Sequence, residues 1–205
     1  MRITADSPLL LGSASPRRRD LVATLGVPFV VRSASADESV LPGELPEAYV
    51  ERVTLAKLDA VCARSSIGDA GVLVADTIVI APDGALLGKP RDDDDAREML
   101  ERLAGATHSV STRFVLAAQA SRARGAAPLH AQTVTTRVTF RALSAGEIHA
   151  YVASGEGRDK AGSYAAQGNA GVFVERIDGS FTSVVGLPIC EVLVALRAIG
   201  WLSPP

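Results

Sequence analysis

Asp76 and Thr77 stand in the middle of an apolar run, with Val72-Leu73-Val74-Ala75 before them and Ile78-Val79-Ile80 after. An ionised carboxylate among aliphatic side chains is costly, so a buried Asp is normally paired, hydrogen-bonded, neutralised or bound to a metal. One reading is structural: Asp76 caps a turn or accepts backbone N–H bonds at a bulge. The other brings in Lys89. The chain turns at Ala81-Pro82-Asp83-Gly84 and continues as Ala85-Leu86-Leu87-Gly88-Lys89-Pro90, which can carry the ammonium back toward the carboxylate. A carboxylate and a lysine at a strand edge are parts of a phosphate-handling site.

A second anion-handling stretch lies near the start of the chain, at Ser13-Ala14-Ser15-Pro16-Arg17-Arg18-Arg19. Ser15 and Pro16 are an N-cap and N1 pair for a helix running to Leu25, with Gly26 as its stop. Three arginines in a first helical turn oppose the helix dipole, which favours anions there. Either they form a solvated basic face or a phosphate sits among them. The polar loop from Ala34 to Pro46 carries Asp37, Glu38 and Glu44. It reads by default as a solvated loop, although it can supply a metal-ligand carboxylate. The run Asp92 to Asp95 reads as helix-start charge rather than a metal site.

The elements that must position these residues follow from periodicity. The β-branched run Val72–Ile80, closed by Pro-Asp-Gly, predicts a strand buried on both faces. Leu9–Gly12 and Val27–Ser33 predict two more strands. From Leu45 a helix follows, with Val50, Val53, Leu55, Leu58 and Val61 as its apolar stripe and Lys57 as a surface lysine between them. Arg91–Ala104 predicts another helix. His108–Ala118 and Gln132–Phe140 predict a long antiparallel hairpin about a turn at Ser121–Pro128, hence a mixed sheet. Ser144, with Glu147 at the capping-box position, opens a helix through Ala153. Glycine is dense from Gly155 to Gly171, where Gly162, Gly168 and Gly171 permit tight turns and close backbone approach to a ligand. Val172–Ile177 predicts a last strand and Ile189–Ile199 a last helix. With no linker, repeat or low-complexity tract, the expectation is one α/β domain over residues 1–205, in two lobes around a cleft.

Bulk properties narrow the function classes. The chain has 205 residues, 47% of them hydrophobic, and a mean hydropathy of +0.21, enough for a core without staples. A net charge of −2 leaves no global basic footprint for nucleic acid, so any anion site is a local cluster. Cys62 and Cys190 form no zinc-type spacing and read as free thiols in a reducing compartment. No stretch approaches the ~20 apolar residues of a membrane span, and no apolar leader opens the chain. The expectation is a soluble, cytoplasmic protein with no nucleic-acid or membrane partner. Gly84 to Pro90 approximates a P-loop but is one residue short between its glycines, and Pro90 replaces the Ser/Thr that binds Mg²⁺. No dinucleotide fingerprint is present. The scattered His108, His130 and His149 and the lack of a nucleophile elbow argue against a Ser-His-Asp hydrolase.

Taken together, five segments resemble the Maf family of nucleoside triphosphate pyrophosphatases: S-A-S-P-R-R at 13–18, A-D-T-I-V at 75–79, L-G-K-P at 87–90, D-K-A-G-S-Y-A-A-Q-G at 159–168 and G-S-F-T-S-V-V-G-L-P at 179–188. They come in the family's order and cover nearly the whole chain. The resemblance implies a mixed α/β fold of the inosine-triphosphatase type, a twisted sheet flanked by helices with the nucleotide in a cleft. It implies hydrolysis between the α and β phosphates to a monophosphate and pyrophosphate, assisted by a divalent cation, Mg²⁺ or Mn²⁺. One subgroup carries D-T and Q-G and prefers dTTP and UTP, whereas another carries D-Q and E-G and prefers 7-methyl-GTP. Asp76-Thr77 and Gln167-Gly168 place this chain with the first. Ala166, and Phe181-Thr182-Ser183 in place of a tyrosine-containing stretch, depart slightly from the pattern.

By the same resemblance, Asp76 is the general base for the attacking water or a metal ligand that positions it. Lys89, Arg18 and Lys57 neutralise phosphate charge, with Lys160 as a further contact. Ser13 and nearby backbone amides hold phosphate oxygens. Arg17, Thr77 and Gln167 match the specificity positions, Gln167 offering both a donor and an acceptor to a uracil or thymine edge. Glu38 is a further candidate metal contact. The family is thought to remove modified pyrimidine nucleotides, and it suggests a homodimer. The alternative is a nucleotide-binding regulator of cell division with incidental turnover.

Overall fold

A computed structural model describes residues 2–64, 71–118 and 128–202. Its strands are β1 (Leu9–Leu11), β2 (Phe29–Val31), β3 (Gly71–Ile80), β4 (Leu86–Leu87), β5 (Thr107–Ala118), β6 (Pro128–Phe140) and β7 (Val174–Asp178). Its helices are α1 (Pro16–Ala23), α2 (Pro46–Arg64), α3 (Asp93–Leu103), α4 (Ala145–Ser154), α5 (Phe181–Val185) and α6 (Ile189–Ala198). The strands hydrogen-bond in the order β2-β1-β3-β5-β6-β7, with β4 paired to β3. β1 is parallel to β2 and β3, whereas β3–β4 and β6–β7 are antiparallel, so the sheet is mixed as expected. The expected turn at 121–128 lies outside the described residues except for Pro128, which opens β6.

The chain divides into two compact units, one of Met1–Asp76, Thr112–Thr133 and Gly186–Pro205, the other of Thr77–Ser111 and Val134–Val185. In the first, strand alternation explains the packing. Leu9, Leu11, Leu73, Ala75, Phe114 and Leu116 point to one face and pack with Val22 of α1 and Val192, Ala195 and Leu196 of α6. Leu10, Val72, Val74, Val115 and Ala117 point to the other, where Leu58 and Val61 of α2 cover them. Both faces are covered, which is why Val72–Ala75 of β3 read as a continuous apolar run. Gly71 is dictated by contact, since a Cβ there would stand 2.1 Å from the ring of the buried Trp201.

The second unit has its own core. Val79 and Leu87 of the β3–β4 hairpin pack with Met99, Leu100 and Leu103 of α3, Val138 and Phe140 of β6, Ile148, Tyr151 and Val152 of α4, and Tyr164 and Phe173. Ser144 and Glu147 form the expected capping box, and Gly155 closes α4 with a left-handed φ of 72°. The sequence reading missed the short helix α5 and the 3₁₀ turns at 161–163 and 169–173, which are too short to leave a periodic pattern. Among the described residues no helix is long and apolar enough to cross a membrane.

Candidate active site

Asp76 follows Val72 and Val74 on the face of β3 that α2 covers. Lys57 lies on α2 four residues after Val53 and four before Val61, both buried. Its stem therefore runs in the apolar stripe, and its ammonium donates to Asp76 Oδ1 at 2.6 Å. The same nitrogen meets Glu38 Oε1 at 2.8 Å. Side-chain exposure is 13% for Lys57 and 9% for Asp76, so this is a largely buried ion pair, not the surface lysine expected from the sequence. The spacing 53-57-61 was the available signal. Lys57 thus holds Asp76. The expected reversal at 81–84 does form, with Val79 opposite Leu87 and Ile80 opposite Leu86, and it leads the second unit's chain on to Lys89.

The loop that carries Glu38 has neither helix nor strand, yet side chains from α2 hold it. The Tyr49 hydroxyl donates to the Glu38 carbonyl at 2.9 Å. Arg52 clamps both oxygens of Glu44 at 2.6 and 2.7 Å and donates to the Ser39 carbonyl at 2.7 Å. Within the loop, Asp37 accepts from the Ser39 N–H and Glu44 from the Leu41 N–H. Burial, then the Asp76 and Glu38 charges, push the Tyr49 phenol up to about 12. Sequence reasoning named neither Tyr49 nor Arg52, because nothing local ties a helix residue to a carbonyl many residues upstream.

At the start of α1, Arg18 Nε donates to the Gly186 carbonyl at 2.7 Å, and its Nη1 approaches Ser13 Oγ at 3.4 Å. Ser13 Oγ also accepts from the Ser15 N–H at 3.2 Å. Burial lowers the Arg18 guanidinium pKa, opposed by Asp76 and then Glu38, and Arg17 adds a like charge. Arg19 instead pairs with Asp20 in solvent, so the solvated-face reading holds for that arginine. Ser13, Arg18, Glu38, Lys57 and Asp76 are therefore gathered in the first unit, with Arg17 alongside.

In the second unit, Thr77 is half-buried on β3 and Lys89 follows β4. Lys160 Nζ donates to the Glu156 carbonyl and to Asp159 Oδ1. Gln167 is exposed in a turn closed by the Gly168 N–H on the Ala165 carbonyl at 3.0 Å. Just before that turn, the Tyr164 hydroxyl and His108 Nε2 are 2.9 Å apart. His108 is 2% exposed, and burial pushes its imidazole down to about 4. In the sequence His108 opens a predicted strand and argues against a hydrolase triad, and nothing local marks its burial.

Among the described residues no group of three or more His, Cys, Asp or Glu could hold a metal ion. Mg²⁺ does not need one, since it is commonly bound by one or two carboxylates together with substrate phosphates and water. Asp76 and Glu38, which converge on one cationic nitrogen, could serve as such a pair.

The profile of the Maf-like protein family matches residues 8–199. A dTTP/UTP pyrophosphatase of Hahella chejuensis is 49% identical over 94% of this chain and 92% of its own. One of Anaeromyxobacter dehalogenans is 49% identical over 96% of each chain, and one of Myxococcus xanthus 47% identical over 98% of each. Among solved structures, a nucleoside-triphosphatase / dITP/XTP pyrophosphatase of Mycobacterium abscessus aligns over 96% of this chain and 99% of its own at 12% identity and a TM-score of 0.41. A family profile spanning nearly the whole chain, joined to relatives near half identity over nearly their full lengths, decides the assignment: the chain belongs to the Maf family.

Proposed function

We propose that this chain is a nucleoside triphosphate pyrophosphatase that hydrolyses dTTP and UTP, and modified pyrimidine triphosphates, to the monophosphate and pyrophosphate. The observation that carries the reading is the buried Asp76 held by Lys57 beside Glu38. It is supported by relatives at 47–49% identity that are named dTTP/UTP pyrophosphatases.

In this reading Asp76 orients the attacking water and accepts its proton as the oxygen adds to the α phosphorus. The bridging α–β bond breaks and pyrophosphate leaves. Lys57 has three N–H donors, two of them directed at carboxylates, so it can serve a phosphate oxygen without abandoning Asp76. Arg18, Lys89 and Lys160 balance charge on the triphosphate, and Ser13 and the first amides of α1 bind phosphate oxygens. Arg17, Thr77 and Gln167 select the base. Asp76 and Glu38, together with the substrate phosphates, would hold Mg²⁺ or Mn²⁺, which would supply further charge neutralisation. The free thiols of Cys62 and Cys190 suit the cytoplasm. We also infer a homodimer, which light scattering tests.

The test is pyrophosphate release from dTTP, UTP, CTP, 7-methyl-GTP and ITP with Mg²⁺ or Mn²⁺, beside Asp76→Asn. The expected result is turnover of dTTP and UTP that falls by about 100-fold or more in the variant. Tight nucleotide binding with no turnover by the unmodified protein overturns the enzyme reading in favour of a regulator. Preference for 7-methyl-GTP overturns the role of Gln167 and leaves the pyrophosphatase chemistry in place.

A further inference from the structure

Gln167 sits at the third position of the turn Ala165–Gly168, and its backbone neighbours are held by two side chains from outside the turn. On one side, the Tyr151 hydroxyl accepts from the Ala165 N–H at 3.1 Å. On the other, Glu156 Oε1 accepts from the Asn169 N–H at 3.0 Å. The Glu156 carboxylate lies so close beneath the turn that a Cβ on Gly168 would stand 2.4 Å from Oε1 and 2.8 Å from Cδ. A side chain at 168 would therefore push the Glu156 carboxylate aside, whereas φ, −110° there, places no demand for glycine. The backbone carbonyl of the same Glu156 receives Lys160 Nζ.

An exposed glutamine on a loose turn explores many positions, and its two-sided amide then meets a base edge at a cost in ordering. A turn held at both ends presents it at a fixed height. We propose that Glu156 is a positioning residue for base selection, setting Gln167 through the Asn169 N–H and the side-chain-free Gly168. Burial alone would raise the Glu156 carboxyl. The Asn169 N–H, the Tyr151 hydroxyl, the Ala170 N–H and Lys160 together hold it below the usual range, so it works as an anionic acceptor at neutral pH.

The proposal rests on Gln167 meeting the base, and the experiment separates the two. Steady-state kinetics with UTP, CTP and 7-methyl-GTP are compared for the full chain, Glu156→Ala, Glu156→Gln, Gln167→Ala and the double variant Glu156→Ala/Gln167→Ala. Glu156→Ala is expected to raise KM for UTP about tenfold with kcat within about twofold, and to shrink the preference for UTP. Glu156→Gln keeps an acceptor oxygen at the same reach and is expected to recover most of the loss. In the Gln167→Ala background, Glu156→Ala is expected to have no further effect on preference, because its route is already removed. The proposal is overturned by a preference that Glu156→Ala and Glu156→Gln leave unchanged, by a fall in kcat at constant KM, or by an Glu156→Ala effect of full size in the double variant. If Gln167→Ala itself leaves the preference intact, the reading of Gln167 falls and this proposal with it. If Glu156→Ala does not fold, Glu156→Gln and Glu156→Asp carry the same comparison.

Discussion

His108 offers the most quantitative test of the second unit. Its ring is 2% exposed, meets Tyr164 through Nε2 and packs edge-on to Phe140, and burial holds its folded-state pKa at about 4 against an ordinary 6.5. A depressed histidine pKa means that the unfolded chain takes up a proton as pH falls through 6.5, while the folded chain does so only near 4. Stability from this group is therefore complete above pH 6.5 and is lost as the pH falls toward 4. The 2.5-unit gap corresponds to about 3 kcal/mol in full. Integrating between pH 7 and pH 5 leaves about 2 kcal/mol of that loss. Urea unfolding of the unmodified chain and of His108→Gln at pH 7, 6 and 5 measures it, because contributions from other titrating groups largely cancel in the difference. The stability advantage of the unmodified chain should narrow by about 2 kcal/mol from pH 7 to pH 5. A difference constant to within about 0.5 kcal/mol would refute the reasoning, since that is below the smallest effect burial implies. The chain has three histidines, so proton NMR can also resolve the ring. A His108 midpoint near 6.5 would show that the ring charges in the folded protein.

Two further substitutions probe the first unit. Lys57→Met leaves Asp76 buried without its ammonium and should cost about 3 kcal/mol in urea unfolding, part of it regained in Lys57→Met/Asp76→Asn, where no charge is stranded. Equal stability of the single and double variants would contradict the pairing. Tyr49→Phe removes the hydroxyl on the Glu38 carbonyl, and should cost about 1 kcal/mol while raising the Mg²⁺ concentration that half-saturates turnover. An unchanged Mg²⁺ response would detach the loop anchor from the candidate metal carboxylate.

Much of the local structure was legible because local patterns encode it. The run around Asp76 marked a strand covered on both faces, and β3 is buried along nearly all its length. Ser15-Pro16 and Ser144 with Glu147 marked helix starts, and α1 and α4 begin at them. The basic run at 17–19 was only partly legible. Arg18 turns inward to Gly186 and Ser13 while Arg19 faces solvent, because a helix rotates successive residues by about 100° and only docking selects which one is buried.

The sequence by itself determined the types of the longer elements, the five ordered motifs and the family, since each depends on residues close along the chain or on their order. Tertiary structure alone decided that Lys57 pairs with Asp76, what shapes the loop around Glu38, and what lies beneath Gly168. Those partners are 19, 11 and 12 residues apart in sequence. They meet only through the register of β3 against α2, through α2 reaching back to the Glu38 loop, and through the return of the glycine-rich segment onto Glu156. A propensity or a spacing describes one segment's preference for its own shape. It holds no information on which face of another segment that shape will meet.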